Sequence, residues 1–267
     1  LENNYDVTIF DGLSNSNQTN INLKAKFVRG STQSKEDLTN LFEKNSYDGV
    51  IHLAASKAAG ESMLNPEKYT ENNIIGSLNL INKCIQYKVK TFVLSSSAAV
   101  YGKPKYLPVD ESHPTNPINY YGYTKLSIEK SLKWYSNLHG LNYASLRYFN
   151  AAGYDHKKRV LGKEKKPENL IPIIMEAAIG KRSFVKIYGD KYRTRDGTAI
   201  RDYVHVCDLA KAHIKAYEYI LKRRKNLILN LGAEEGFSVF EVLNMAKRIT
   251  NVEIRHKIYN SRLGDVD

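Results

Sequence analysis

The sequence has two cysteines in 267 residues, no long apolar run and no glycine-rich phosphate loop near its start. Each shortage excludes something. Cys84 and Cys207 cannot build a disulfide framework, and they point to a reducing compartment, the cytoplasm. Cys84 lies in the apolar stretch Leu80–Ile85 and reads as a small core residue. Neither cysteine has metal-ligand company in the sequence, so no metal is expected. No run reaches the roughly 18 apolar residues that a membrane-spanning helix needs. Neither Gly-x-Gly-x-x-Gly nor Gly-x-x-Gly-x-x-Gly occurs at the start, where Tyr5–Phe10 already reads as a strand. The expectation is that a first strand, its glycine loop and a first helix lie upstream of Leu1. Acid is also scarce: 28 Asp and Glu face 40 Lys and Arg, a net charge of +12. The excess gathers in His156–Arg159, Lys163–Lys166 and Lys222–Lys225. No nucleic-acid motif accompanies it, so an anionic small molecule, not nucleic acid, is the expected partner.

What remains is the composition of a globular protein, 42% hydrophobic and 25% charged. Strand and helix signals alternate, which predicts an α/β fold: a Rossmann-like doubly wound parallel sheet with a smaller α/β domain. Apolar runs at Tyr5–Phe10, Phe27–Val28, Gly49–Ala55, Thr91–Leu94 and Ala144–Phe149 are the expected strands. Ser34 is placed to cap a helix running to about Lys44, and a long helix is expected over Pro66–Tyr87. Ser238 with Glu241 forms a capping-box pattern. The character of the sequence changes near Asn150. Residues 1–150 are expected to bind nucleotide and residues 151–267 to bind substrate, with 201–232 packing back on the first part.

Chemistry is suggested first by Tyr121 and Lys125. Their i, i+4 spacing in a helical stretch puts both on one face. A tyrosine with a reference pKa of about 10 is a weak base, and a neighbouring ammonium is expected to bring it down. Ser95, Ser96 and Ser97 end the run Thr91–Leu94, at the carboxyl end of a strand, where open α/β sheets bind ligands. Asp11 ends the first visible strand. An acid there suits adenosine ribose hydroxyls and would repel a 2′-phosphate, favouring NAD over NADP. His52 and His205 read as structural histidines.

Four strings carry a resemblance. They are Ser95–Gly102 (SSSAAVYG), Tyr121–Lys125 (YGYTK) with Leu146–Asn150 (LRYFN), and Asp196–Ala210 (DGTAIRDYVHVCDLA). Together they resemble the extended short-chain dehydrogenase/reductases acting on nucleotide sugars, and within them the UDP-glucose 4-epimerases. His52–Ser62 and Arg262–Val266 agree, and the similarity covers the whole chain. The resemblance implies interconversion of UDP-galactose and UDP-glucose with bound NAD. Tyr121 would be the base, Ser97 its partner at the sugar 4-hydroxyl, and Lys125 the residue holding the nicotinamide ribose and lowering the Tyr121 pKa. It implies cofactor contacts at Asp11, Asn15, Ser16, Leu53, Ala54, Lys57, Asn72 and Tyr148. It implies substrate contacts at Asn150, Asn169, Leu170, Lys186, Tyr188, Arg201, Arg262 and Asp265. A homodimer through the long helix and the Tyr121 helix is expected on the same ground.

The sequence also departs from the family pattern. Gly30–Ser31 stands where an aspartate usually meets adenine, and Ala99 stands where threonine is common. Ala98 and Ala99 replace the acidic pair of a 4,6-dehydratase, which argues against dehydration. A UDP-pentose or UDP-N-acetylhexosamine epimerase is the alternative reading. A second alternative is a catalytically impaired fragment, and on that reading the chain turns over UDP-galactose much more slowly than a version bearing the upstream loop.

Overall fold

Short runs of branched and aromatic residues form parallel strands in the computed structural model, which describes residues 1–14, 18–160, 162 and 167–262. β1 (Thr8–Asp11) pairs in parallel with β2 (Lys26–Arg29), Phe10 opposite Val28. α1 (Lys35–Glu43) follows, its N-terminus capped by Ser34 accepting from the Asp37 amide. β3 (Gly49–His52), β4 (Thr91–Ser95), β5 (Asn142–Tyr148) and β9 (Leu227–Leu231) make a second, wholly parallel sheet in the order β3-β4-β5-β9. Every residue of β4 is buried, as expected of a strand covered on both faces.

Between β3 and β4 lie α2 (Ala59–Leu64) and α3 (Pro66–Tyr69), then α4 (Gly76–Gln86). The long helix expected from Pro66 is present but interrupted. Residues Thr70–Ile75 are π-helical, a local widening common at functional sites. α5 (Tyr120–His139) lies between β4 and β5. Leu38, Leu80, Ile81, Phe92, Leu94, Ile128 and Leu132 share one core with Phe10, Val28 and Val50. The β1–β2 pair therefore packs on the same interior as β3.

After β5, β6 (Asn150–Ala152) leaves this sheet. It pairs in parallel with β8 (Ile200–His205), which pairs antiparallel with β10 (Gly236–Ser238). α6 (Leu170–Ala178), β7 (Val185–Tyr188), α8 (Val239–Thr250) and β11 (His256–Tyr259) build a separate core around Ile174, Ile187 and Leu243, with β7 parallel to β11. α7 (Val206–Arg223) returns to the large sheet, where Ala216 and Ile220 pack on Val93, Ala144 and Leu146. The capping box at the start of α8 is complete.

Candidate active site

The site is assembled where α5 meets the end of β4. Asn119 caps α5 by accepting from the Gly122 amide at 2.9 Å, and the Tyr121 amide donates to Ser62 at 3.0 Å. Gly122 is required by contact: a Cβ there would lie 2.4 Å from the Ala99 carbonyl oxygen. That close approach brings Tyr121 to Ser97, which opens a short 3-10 turn by accepting from the Ala99 amide at 3.1 Å. Ser97 also lies close enough to the Tyr121 hydroxyl to favour its ionised form.

Lys125 is 3% exposed, donates to the Ser95 carbonyl at 2.7 Å, and lies 5.9 Å from the Tyr121 ring centroid. Burial brings its ammonium down to about 8, opposed by the nearby Glu129 carboxylate. One expectation is overturned here. Tyr121 is pushed well above its usual range, first by burial and then by the Tyr148 phenol, with only Ser97 acting the other way. The Lys125 ammonium donates to the Ser95 carbonyl and lies over the ring, and burial outweighs any help it gives the phenolate. Tyr148 itself hydrogen-bonds the Ser95 hydroxyl at 2.5 Å.

Behind these groups is a buried network that the sequence reading missed. Arg147 donates through Nε and Nη2 to Glu129, and through Nη1 to the Tyr101 hydroxyl at 3.0 Å. The Ser96 hydroxyl donates to Glu129 at 2.5 Å. Glu129 stands one turn beyond Lys125, so the same i, i+4 spacing could have found it.

Of the implied cofactor residues, Asp11 ends β1, and Leu53, Ala54 and Lys57 follow the carboxyl end of β3. Asp11 accepts from the Leu13 amide at 2.6 Å. Leu53 is 62% exposed, and Ala54 and Lys57 are exposed beside it. Asn72 lies in the π-helical segment and donates to Ser56 at 3.0 Å. Its neighbour Asn73 holds the Ser56 backbone and Thr124, which fastens this loop to α5. Asn15, Ser16 and Asp265 lie outside the described residues. Ser31, at the position where the family pattern has aspartate, gives its amide to Asp37 at 2.9 Å. A strand-end carboxylate, exposed backbone beside a lysine, and a buried ammonium form a donor set that fits ribose hydroxyls and a diphosphate.

The implied substrate residues come from the later elements. The Asn150 side chain donates through Nδ2 to the Asp202 backbone carbonyl at 3.1 Å. Asn169 caps α6 without using its side chain, and Leu170 begins that helix. Arg201 donates to the Ile200 carbonyl at 2.8 Å, while Arg262 stacks 4.6 Å over Tyr188. Lys186 lies 5.2 Å from the Tyr259 ring.

His52 is a structural histidine, as expected. It is buried against Ser77 at 2.8 Å, and burial and then the Lys125 charge bring it down to about 3. His205 is not a core residue. It caps α7, accepting from the Cys207 amide at 3.2 Å. The reading that neither cysteine has metal-ligand company also fails in space: the fold sets His156 and His205 beside Cys207. Residue 156 lies too far from 205 in sequence for spacing to show this.

Residues 1–232 match the family described as "NAD dependent epimerase/dehydratase family". The UDP-glucose 4-epimerase of Halalkalibacterium halodurans is 43% identical over 266 residues, 99% of this chain and 79% of that protein. The crystal structure of UDP-glucose 4-epimerase from Brucella ovis in complex with NAD aligns with a TM-score of 0.94 at 39% identity, covering 99% of this chain and 81% of that one. That from Bifidobacterium longum, in complex with NAD+ and UDP, gives 0.92 at 34%, covering 99% and 82%. With the parallel sheet and the Ser97–Tyr121–Lys125 geometry in place, these similarities establish that the chain belongs to the NAD dependent epimerase/dehydratase family.

Proposed function

We propose that this protein interconverts UDP-galactose and UDP-glucose by inverting C4 of the sugar, with NAD as its cofactor. The observation that carries this reading is the convergence of Ser97, Tyr121 and Lys125 at the end of β4. NAD, when bound, supplies a hydride acceptor that is restored within each cycle, so there is no net redox change. Asp11, Leu53, Ala54, Lys57, Asn72 and Tyr148 would hold it.

Tyr121 takes the proton from the sugar 4-hydroxyl, and Ser97 bonds the same oxygen and steadies the transfer. Burial keeps the phenol of the free protein protonated, so that proton must first leave to solvent, an ionisation that positive charge arriving with the cofactor would favour; the phenolate then accepts the sugar proton. Arg201 and Arg262 grip the pyrophosphate by charge-assisted bonds, with Asn150, Asn169 and Leu170 around the phosphate and sugar. Lys186 and Tyr188 border the uracil. A firm hold on UDP with few contacts to the hexose lets both faces of the 4-keto sugar be presented. Residues 1–150 serve the cofactor and 151–267 the substrate, with α7 and β9 docked on the large sheet.

The protein acts as a homodimer in the cytoplasm. Tyr123, Trp134 and Leu138 on α5 are 50%, 66% and 69% exposed, an apolar stripe suited to a second copy. Both cysteines are free thiols, which suits a reducing compartment.

Incubation with NAD and UDP-galactose should yield UDP-glucose, and Tyr121→Phe should do so far more slowly. Turnover of UDP-xylose or UDP-N-acetylgalactosamine, with none of UDP-galactose, would replace this reading by its nearest rival.

A further inference from the structure

His156, His205 and Cys207 each offer one ligand atom, and these atoms all lie within 4.8 Å of one another. We propose that they form a three-ligand site for a zinc-class divalent cation, which ties the loop after β6 to the first turn of α7.

The site is built by the backbone. Ala152 pairs with His205 at the end of the β6–β8 ladder, so the chain leaving β6 passes directly over the imidazole. Gly153 makes this possible, with φ +86 and no Cβ; a Cβ there would lie 2.4 Å from His205 Cδ2 and Nε2. The chain then folds back on itself. Asp155 accepts from the amides of Lys157 and Arg159 and from the Arg159 guanidinium, which fixes the turn that carries His156. The two imidazole centroids are 6.1 Å apart. Cys207 Sγ lies between this turn and the helix, 4.0 Å from the Tyr154 carbonyl and 3.9 Å from Asp155 Oδ1.

Two imidazoles and a thiolate are borderline-soft donors, which select zinc-class ions over magnesium or calcium. Zinc–nitrogen and zinc–sulfur bonds of about 2.0–2.3 Å in tetrahedral geometry set donors roughly 3.3–3.6 Å apart. Closing the observed cluster needs movements on the order of 1 Å, within reach of the exposed His156 side chain. His156 is exposed and Cys207 half-buried, so the cluster lies at the protein surface.

Binding trades one bond for another. The His205 Nδ1 lone pair now accepts the Cys207 amide, and the metal takes that lone pair while Cys207 releases its thiol proton. Lys157, Lys158 and the positive end of α7 oppose a cation. The thiolate charge and the adjacent Asp155 carboxylate act against them. No step of the proposed epimerisation uses this site, so its fate is independent of that reading.

The test is a Co²⁺ titration of the full chain, metal-free and under a non-thiol reductant. A thiolate-to-cobalt band in the near ultraviolet, with tetrahedral visible bands saturating at one equivalent and bleached by Zn²⁺, is expected. Cys207→Ser should abolish the sulfur band. His156→Ala, at an exposed position, should weaken binding about tenfold or more, and His139→Gln should leave both unchanged. No sulfur band in the unaltered protein, or the same spectrum and affinity in Cys207→Ser or His156→Ala, overturns the proposal.

Discussion

Arg147 Nη2 lies 2.6 Å from Glu129 Oε2 with both side chains about 5% exposed or less, directly behind the serines and the lysine of the site. Glu129 also receives the Ser96 hydroxyl and lies near enough to Lys125 to raise its pKa against the effect of burial. The pair thus joins stability to the site through named contacts.

Removing one partner leaves the other charge buried and uncompensated. Glu129→Ala should therefore cost about 3–5 kcal/mol in urea unfolding. Glu129→Leu with Arg147→Met should cost much less than the sum of the single changes, because neither charge is then stranded. Strict additivity would show that the two residues act independently.

Tyr121→Phe removes a hydroxyl that lies near Ser97 and leaves the ring beside Lys125 in place. Turnover of UDP-galactose should fall about 10²–10⁴-fold, the range expected for loss of a positioned proton-transfer group. The melting temperature should hold or rise, since a buried phenol is replaced by an apolar ring. A loss of turnover matched by a loss of fold would argue for a structural tyrosine.

His52 makes stability depend on acid. Its folded value is about 3 against an ordinary 6.5, so between these pH values the unfolded chain binds a proton that the folded chain refuses. Stability is then complete above about pH 6.5 and falls as pH drops toward 3, by about 1.4 kcal/mol per unit for one proton. His213, also lowered by burial, acts in the same direction. The comparison belongs between pH 6.5 and 5, above most carboxylate titration. His52→Asn, which can keep a bond to Ser77, should flatten the slope there, and an unchanged slope would remove His52 as its cause.

The chain's own pattern made β4, β5, α5 and the α8 capping box legible, because burial on both faces, helical spacing and caps are local signals. β6 and β10 are three residues each, too short for any period to declare itself, and they owe their form to pairing with β8. The π-helical segment at Thr70–Ile75 leaves no mark in composition, although it carries Asn72 and Asn73. Tyr121 and Lys125 were readable as a pair, but the direction of the tyrosine shift was not. That direction depends first on how completely the fold encloses the hydroxyl, which spacing does not contain. The His156–His205–Cys207 cluster was hidden for a related reason, since its parts meet only through the β6–β8 pairing.

Gly122 allows the sharpest test of that geometry. On propensity alone, alanine inside a helix should stabilise by about 1 kcal/mol. The new Cβ, however, would sit 2.4 Å from the Ala99 carbonyl oxygen and 2.9 Å from its carbon, atoms of backbone that no side-chain rotation can move aside. α5 must therefore shift away from the turn that begins at Ser97, and Tyr121, one residue earlier, shifts with it. A displacement near 1 Å at reacting groups is enough for about a 10²-fold loss. Gly122→Ala should thus lower turnover by about that factor while UDP affinity, which rests on other elements, changes little. Full turnover in this variant would mean that the contact between α5 and the serine turn does not set the position of the base.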